Sequence, residues 1–275
     1  MPVSERQLAA FAEIHAWRVP FDTSPRHLAG PGDARHVTHG LAAAGWSPTS
    51  DPLSAEIILR SPDRRYRLQF DPQSATSAWW RLRAEPTDAE HGWYAEFGEL
   101  LPAEVLAGLT DALIAPSRTQ PAAPLSALQA AGWLIDAGNA AASPDAMCRV
   151  EQRADPHDPA MASWHVEAGE PGQDGFLGPR IWHAWFDSRT PEHVVTAFVT
   201  ALADPAPLQR AMFERTAHYT VVQQPSPLTP QQVVDAHTTR IKTIRAQARA
   251  ARRQKQPTPA TAPATPATPR PAARR

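Results

Sequence analysis

An internal repeat is the feature that most constrains what this 275-residue chain can fold into. The hexapeptide LAAAGW at 41–46 recurs as LQAAGW at 128–133. Residues 93–116 align without gaps to residues 182–205, and eight of those 24 positions are identical. The repeated blocks keep their order and a nearly constant spacing. We therefore infer that one domain of about 85–90 residues was duplicated in tandem.

Each repeat carries the pattern of an α-β-β-β-β-α unit. The segment YRLQF at 66–70 alternates apolar and polar residues, which predicts a half-buried strand. Gly45 and Gly132 follow short helical segments, where a left-handed residue commonly ends a helix. A second helix is predicted from Pro102 in one copy and Pro191 in the other. Two tandem αββββα units, each with helices packed on one face of an antiparallel sheet, give an α+β fold.

Sequence blocks in the first repeat also point to a known family. They are GDARHVTH at 32–39, AGW at 44–46 and SPDRRY at 61–66, together with Trp80 and Trp93–Tyr94. These residues resemble the SPDY family, a domain of unknown function in actinomycete proteins. The resemblance implies tandem α+β domains in a bacterial cytoplasm and implies no activity.

The second repeat departs from this pattern. It spells SPDAMCR, with Cys148 where the first repeat has Tyr66. Its segment NAAA at 139–142 aligns with the strand-like IILR at 57–60, so we expect a shorter or irregular sheet there. The resemblance covers about 27–116 and 122–205. The predicted segments are an N-terminal helix and linker (1–26), a first repeat (27–116), a second repeat (122–212), a linker and basic helix (213–256), and a disordered Pro/Ala/Thr/Arg tail (257–275).

Two further helices have clear starts. Ser4 and Gln7 form a predicted capping box at the N-terminus, and Thr229, Pro230 and Gln232 form another before the basic helix. The apolar positions of the basic helix are sparse, which does not favour a core helix. They are Val233, Val234, Ile241 and Ile244.

Composition indicates a soluble cytoplasmic protein with no cofactor and no membrane contact. The chain has one cysteine, which excludes an intramolecular disulfide framework. It has no apolar run long enough for a membrane span and no apolar N-terminal segment of signal-peptide type.

A candidate partner-binding surface lies on the predicted solvent side of the first sheet. If Trp80 faces the core, alternation places Trp79, Arg81 and Arg83 outward, with Arg65 and Arg67 on the neighbouring strand. A tryptophan among four arginines suits stacking on bases and contact with phosphates. The same set equally fits a contact between domains or subunits, with tryptophan as the anchor.

A second candidate surface is the basic C-terminal segment. From residue 240 onward the chain has ten lysines and arginines and no acidic residue, whereas the rest of the chain is acidic. Such a segment is typical of nucleic-acid-binding tails, but it could also fold back on the acidic body or simply aid solubility. The candidate residues are Arg240, Lys242, Arg245, Arg249, Arg252, Arg253 and Lys255.

Other chemistry-bearing residues favour structural roles. His27, Asp33, His36 and His39 have spacing that a metal site could use, but helix capping and packing explain them better. No metal, cofactor or catalytic residue is predicted. Tryptophans at 46/133, 80/164 and 93/182 recur in both repeats, which indicates core packing. Cys148 is expected to be a buried thiol rather than a nucleophile.

The sequence therefore favours a non-catalytic binding module that contacts nucleic acid or another acidic partner. The alternative is a protein–protein adaptor or a self-associating scaffold that uses its sheet faces. An enzyme is the least favoured class, because no known catalytic motif is present.

Overall fold

The computed structural model of the chain describes residues 3–51, 53–115, 122–137, 139–154, 161–172 and 177–255. The helices are α1 (Glu5–His15), α2 (Arg35–Ala44), α3 (Ala103–Ile114), α4 (Pro124–Ala130), α5 (Glu192–Ala203) and α6 (Pro230–Lys255). The strands are β1 (Pro20–Ser24), β2 (Ser47–Pro48), β3 (Ile57–Arg60), β4 (Tyr66–Phe70), β5 (Ala78–Ala84), β6 (Trp93–Gly98), β7 (Leu134–Ile135), β8 (Ala140–Ala142), β9 (Cys148–Ala154), β10 (Ala162–Pro171), β11 (Leu177–Phe186), β12 (Leu208–Ala211) and β13 (Val222–Pro225).

The two repeats share one antiparallel sheet of ten strands. Its order is β2-β3-β4-β5-β6-β11-β10-β9-β8-β7, so the last long strand of each repeat pairs with that of the other. At this junction Glu96 lies opposite Trp185, and these two positions are equivalent in the repeat alignment. Phe97 pairs with Ala184, and Phe186 pairs with Ala95 in the symmetric way. The repeats are therefore related by a local two-fold axis between β6 and β11.

Helices cover one face of this sheet, as the sequence predicts. The inward-facing residues of the strands form one core with residues of α2, α3, α4 and α5. All six tryptophans that recur in both repeats are buried, which confirms their predicted role in packing. The predicted mixed helix and sheet class is correct. No helix in the described part of the chain is both long and apolar enough to span a membrane.

The Ser-Pro-Asp motif forms the same tight turn in both repeats. Ser61 Oγ donates to Asp63 Oδ1 at 2.5 Å and accepts from the backbone N–H of Tyr66. Ser143 and Asp145 repeat this arrangement at 2.5 Å, with Ser143 Oγ accepting from the N–H of Cys148. The repeated motif is thus explained by a turn that its own side chains stabilise.

The second repeat has a weakened outer strand, as predicted from NAAA. Strand β8 contains three alanines and pairs with β9 and with the two-residue strand β7. A separate three-stranded sheet, in the order β12-β1-β13, was not predicted. Its strands come from residues 20–24, 208–211 and 222–225, two of which lie in segments expected to be linkers.

Both predicted capping boxes form. Ser4 Oγ and the Gln7 side chain bond each other's backbone N–H, and Thr229 and Gln232 do the same. Helix α6 nevertheless packs against α1 and α2 and buries Val234, Ile241 and Ile244. The expectation that its sparse apolar positions would leave it outside the core was therefore wrong.

Candidate functional site

The sheet face opposite the helices carries a row of arginines. Arg60 on β3 lies directly opposite Arg67 on β4, and Arg67 lies directly opposite Arg83 on β5. Like charges opposite one another on neighbouring strands are destabilising. Within the described residues, none of these three arginines forms an ion pair with a carboxylate. We call Arg60, Arg67 and Arg83 the arginine row.

The other two arginines predicted on this surface are tied to nearby loops. Arg65 forms a close ion pair with Glu90 and stacks over the ring of Tyr66 at 5.2 Å. Arg81 donates to the hydroxyls of Ser74 and Thr76 at 3.1 and 2.7 Å. Both are only partly exposed. Arg65 is thus neutralised by Glu90, whereas Arg81 is held by neutral hydroxyls and keeps its charge beside the arginine row.

Trp79, which was predicted on the same face, lies at an irregularity of β5. The β5–β6 register shifts between Ala78 and Trp80, which leaves Trp79 as the extra residue of a bulge. The ring of Trp79 meets Phe70 edge-on at 6.2 Å and remains partly exposed. A bulge commonly redirects a side chain at a sheet surface. Phe70 stacks on the buried Trp80 at 4.1 Å, and Trp79 packs with them against the core, so the predicted outward position of Trp79 is wrong: the bulge turns its ring toward the helix side of the sheet.

Three residues of this surface were missed by the sequence analysis. Arg60 ends β3, Tyr94 lies on β6, and Trp185 lies on β11. The guanidinium of Arg83 sits 5.7 Å over the ring of Tyr94, which lies 6.0 Å from the ring of Trp185. Period-two alternation in IILR could have identified Arg60. Trp185 gave no such signal, because its partner across the sheet belongs to the other repeat.

We define the open face as the arginine row together with Arg81, Tyr94 and Trp185. In the second repeat the same side of the sheet is balanced by acids. Arg149 pairs with Asp136 at 2.5 Å and with Glu151 at 3.2 Å. Arg153 also pairs closely with Glu151. Adjacent arginines without a carboxylate partner therefore occur in the first repeat, whereas Arg180 on β11 is a single exposed arginine of the second.

Some basic residues of helix α6 contact the rest of the protein, and others face solvent. Arg240 pairs with Asp111 on α3 at 2.6 Å and donates to the His36 carbonyl at 2.8 Å. Arg245 and Arg252 donate to the carbonyls of Val3 and Ala44. These three arginines dock the helix rather than present free charge.

The remaining basic residues of α6 have different surroundings. Lys242, Arg249 and Arg253 are exposed, and none has a hydrogen bond or ion pair to another described residue. Their spacing places them along one side of the helix. The side chain of Lys255 and the predicted tail at 257–275 lie outside the described residues. Since α6 packs on α2, its exposed charges lie on the helix side of the sheet, away from the open face.

The histidines of the HLAGPGDARHVTH segment take separate partners. His27 bonds Asp145 of the second repeat at 2.9 Å, while His39 Nδ1 lies 3.2 Å from His237 Nε2 on α6. Asp33 bonds His15 and Arg35. No group of three or more His, Cys, Asp or Glu side chains placed to hold a metal ion occurs among the residues described.

Burial and hydrogen bonding set the ionisation of this region. Burial, together with smaller effects of neighbouring His36 and His39, lowers the pKa of His237 to about 3. Burial likewise lowers the pKa of His39 to about 4. Burial alone would raise the pKa of Asp33, but hydrogen bonds from His15 and Arg35 outweigh it and hold the pKa well below its usual range. The buried imidazoles are thus neutral near pH 7.

Cys148 is fully buried on β9, and burial raises the pKa of its thiol well above the usual value. The Ser143 hydroxyl bonds its backbone N–H, and the side chain is part of the core. A protonated thiol without access to solvent is a poor nucleophile.

A family model described as SPDY, a domain of unknown function, matches residues 60–119 and 142–208. Both matched segments begin near the Ser-Pro-Asp turn of their repeat. No curated protein matched in a search by sequence, and no solved structure matched.

Proposed function

For a chain that carries two tandem copies of the SPDY domain, we propose a non-catalytic binding function, in which the open face of the first copy binds single-stranded nucleic acid. The observation that carries the proposal is the arginine row. Three guanidinium groups on adjacent strands repel one another, so folding alone gives no reason for the arrangement. A polyanion would neutralise them together.

The spacing and the aromatic residues favour a single strand over a duplex. Neighbouring strands are about 4.8 Å apart, so the arginine row spans about 10 Å along one direction. Tyr94 and Trp185 are partly exposed on the same face as the arginine row. Unpaired bases can stack on such rings while arginines contact the phosphates, a combination typical of proteins that bind single strands.

The exposed side of α6 supplies a second, separate basic surface. Lys242, Arg249 and Arg253 have the exposure that a polyanion contact needs, whereas Arg240, Arg245 and Arg252 are engaged with the body. We therefore assign the aromatic-assisted contact to the open face and only a non-specific electrostatic contribution to α6 and the residues after it.

The test is a binding titration of a fluorescent oligothymidylate and an oligouridylate by anisotropy, at two salt concentrations. The double variant Arg67→Gln/Arg83→Gln should weaken binding by at least tenfold and reduce the slope of log K against log salt by about 1.4. Because neither arginine has an ion pair with a described residue, its loss leaves no carboxylate unpaired. Trp185→Ala should weaken binding with little change in that slope, because it removes a partly exposed ring and no charge.

The matched control is Arg180→Gln/Arg189→Gln, which removes the same charge from exposed positions of the second repeat. If both double variants lose the same binding affinity, the binding depends only on the net charge of the protein, which would contradict a site on the open face. A chain ending at residue 255 tests the tail. Deletion from residue 240 is unsuitable, because it would remove the buried Ile241 and Ile244.

A second function, self-association, is favoured by an apolar patch around the three-stranded sheet. Trp17 and Phe213 are 88% and 94% exposed, and Val19 and Met212 lie between them with more than half of their surface exposed. Arg18 and Glu214 lie 3.8 Å apart within the same patch. A patch that holds both charges can pair with its own copy about a two-fold axis, so the partner we propose is a second copy of the chain.

Light scattering coupled to size-exclusion chromatography tests self-association. Phe213→Glu should convert the dimer to monomer, whereas Leu53→Glu, at a position 95% exposed elsewhere on the molecule, should not. A monomeric wild-type chain at about 100 µM, well above typical dimer dissociation constants, would contradict this second function.

A further inference from the structure

The carboxylate of Glu96 lies within the open face, next to Trp185. Glu96 on β6 and Trp185 on β11 are directly opposite each other in the sheet. Both side chains point away from the helices, because the sequence neighbours of each are buried in the core. The Glu96 side chain is 32% exposed and Trp185 is partly exposed, so a ligand on this face can reach both.

The arginines of the open face do not use this carboxylate. Among the described residues, Glu96 forms no ion pair with an arginine; Arg81, opposite it on β5, donates to hydroxyls of the preceding loop. The Tyr94 hydroxyl donates to Glu96 Oε2 at 3.3 Å, and His183 Nε2 lies 3.5 Å from Glu96 Oε1. A carboxylate can accept about four hydrogen bonds, so both oxygens keep capacity for further donors.

Contact with phosphates gives no reason for an acid at this position. A negative charge among arginines weakens their attraction for a nucleic-acid backbone. Groups that read a sequence contact the base edges instead, and carboxylates do so by accepting hydrogen bonds from base N–H groups. The charge of Glu96 is thus suited to a base rather than to the backbone.

The bases differ in the donors that they offer to a carboxylate. On its Watson–Crick edge guanine presents N1–H and N2–H side by side, and two parallel donors match two carboxylate oxygens, as in an arginine–carboxylate pair. Adenine and cytosine present one amino donor next to a ring acceptor, whereas thymine and uracil present one N–H between two carbonyl oxygens. A carboxylate in reach of an unpaired base therefore favours guanine.

The strand register places such a base within reach of Glu96. Residues directly opposite each other on neighbouring strands have Cβ atoms about 5 Å apart, so a base stacked on Trp185 can turn its edge toward the carboxylate. On the other side of Trp185 lies His165 of β10. Its Nε2 is 3.0 Å from Ser163 Oγ and its Nδ1 is 3.4 Å from an Arg153 nitrogen, so both ring nitrogens already have partners.

We propose that Glu96 makes the open face prefer guanine, by accepting hydrogen bonds from N1–H and N2–H of a base that stacks on Trp185. The inference rests on the proposed binding of single-stranded nucleic acid and adds a base preference to it. Stacking alone tolerates every base, so the preference depends on the carboxylate. A good bidentate contact discriminates between bases by about fivefold or more.

Competition against a labelled oligothymidylate tests the inference. The unlabelled competitors are oligothymidylates of equal length that carry guanine, hypoxanthine, adenine or thymine at the central position. Guanine should lower the concentration needed for half displacement about fivefold or more relative to thymine. Hypoxanthine keeps N1–H but lacks the N2 amino group, so it should fall between guanine and thymine. Adenine stacks as a purine but offers one donor, so it should gain at most about twofold over thymine.

Two variants test the role of Glu96 itself. Glu96→Gln replaces one acceptor oxygen by a donor and should bring the guanine and thymine competitors within about twofold of each other, while oligothymidylate still binds. Glu192→Gln removes the same charge at an exposed position of α5, on the helix side of the sheet, and should keep the preference of the wild type.

The failure of this inference differs from the failure of the proposed function. If oligothymidylate binds but guanine gives no advantage, or if Glu96→Gln keeps that advantage, the base preference assigned to Glu96 is wrong while binding to the open face stands. If no oligonucleotide binds the wild-type chain, the proposed function is wrong and the base preference is wrong with it.

Discussion

Glu96 and Trp185 lie directly opposite each other on β6 and β11, and each occupies the position that the other holds in its own repeat. The pairing of equivalent positions means that the two-fold axis passes between them. The ten-stranded sheet is therefore the sheet of one repeat joined edge to edge with its copy. This junction removes one exposed edge from each repeat, and such edges otherwise favour aggregation.

The helices beneath this junction meet where Gly108 has no side chain. A Cβ at Gly108 on α3 would lie 2.5 Å from the Cβ of Ala201 on α5, which is too close without movement of the helices. In an exposed helix, Gly→Ala stabilises by about 1 kcal/mol. Here we expect Gly108→Ala to destabilise the chain by about 1–3 kcal/mol, because the added methyl group overpacks the contact.

Urea denaturation measures this change through the midpoint at constant slope. Gly40→Ala on α2 is the control, because a Cβ at this helical glycine would meet the movable end of the Arg240 side chain, at 3.3 Å, rather than a neighbouring helix. A stabilised Gly108→Ala variant would show that the two helices can separate at no cost, contrary to the packing described.

The pair of Arg210 and Glu104 joins β12 to α3 inside the protein. The Arg210 side chain is 1% exposed, and it also donates to the carbonyls of Ala29 and Gly30. Arg210→Met leaves Glu104 buried without its cation, which typically costs about 3–5 kcal/mol. The double variant Arg210→Met/Glu104→Leu should recover most of that loss.

The control for this pair is Arg215→Met. Arg215 pairs with Glu99, but its side chain is 61% exposed, so the change should cost about 0–1 kcal/mol in urea denaturation. Equal losses for Arg210→Met and Arg215→Met would mean that burial of the Arg210–Glu104 pair does not matter to stability.

Local sequence patterns predicted much of each repeat. The alternation in YRLQF gave β4 at its observed bounds, 66–70, and the two left-handed glycines ended their segments as expected. These features depend on neighbours in sequence. The β6–β11 junction and the three-stranded sheet depend on residues far apart in sequence, such as Phe21 and Pro225, so no local pattern could reveal them.

The candidate surfaces were predictable only in part, again because a local pattern does not show which strands pair. Alternation placed Arg83 outward correctly but failed for Trp79, because the bulge there interrupts the period of two. The arginine row became visible only when strand register aligned Arg60 with Arg67. Helix α6 was misjudged because a histidine occupies its buried stripe. Val234, His237, Ile241 and Ile244 follow the 3–4–3 spacing of a packed helix, and His237 conceals that pattern.

Cys148 should resist modification in the native protein. Its thiol is fully buried and its pKa is raised by burial, so both access and thiolate formation are suppressed. We expect no reaction with Ellman's reagent at pH 8 in buffer and one equivalent after unfolding in guanidinium chloride. Rapid labelling of the native chain would contradict the packing of β9.

Stability should fall as pH falls below about 6.5, because of the buried histidines. The unfolded chain takes up protons on histidine from about pH 6.5, whereas burial keeps the pKa of His39 near 4 and that of His237 near 3. The folded state therefore binds fewer protons throughout the interval. Proton uptake by the unfolded chain therefore favours unfolding. The contribution of these histidines to folding stability is fully present above about pH 6.5 and is lost progressively as the pH falls to about 3.

Each histidine contributes at most about 1.4 kcal/mol per pH unit within its interval. Thermal and urea unfolding at pH 7.5, 5.5 and 4.5 measure the loss, and the range stops at pH 4.5 so that carboxylates such as Asp33 stay largely ionised. His237→Leu should give a shallower dependence on pH, since leucine takes up no proton when the chain unfolds. His193→Leu, at an exposed position, is the matched control. If stability depends on pH in the same way in the wild type and in His237→Leu, then His237 takes up its proton in the folded chain as readily as in the unfolded chain, in spite of its contact with His39.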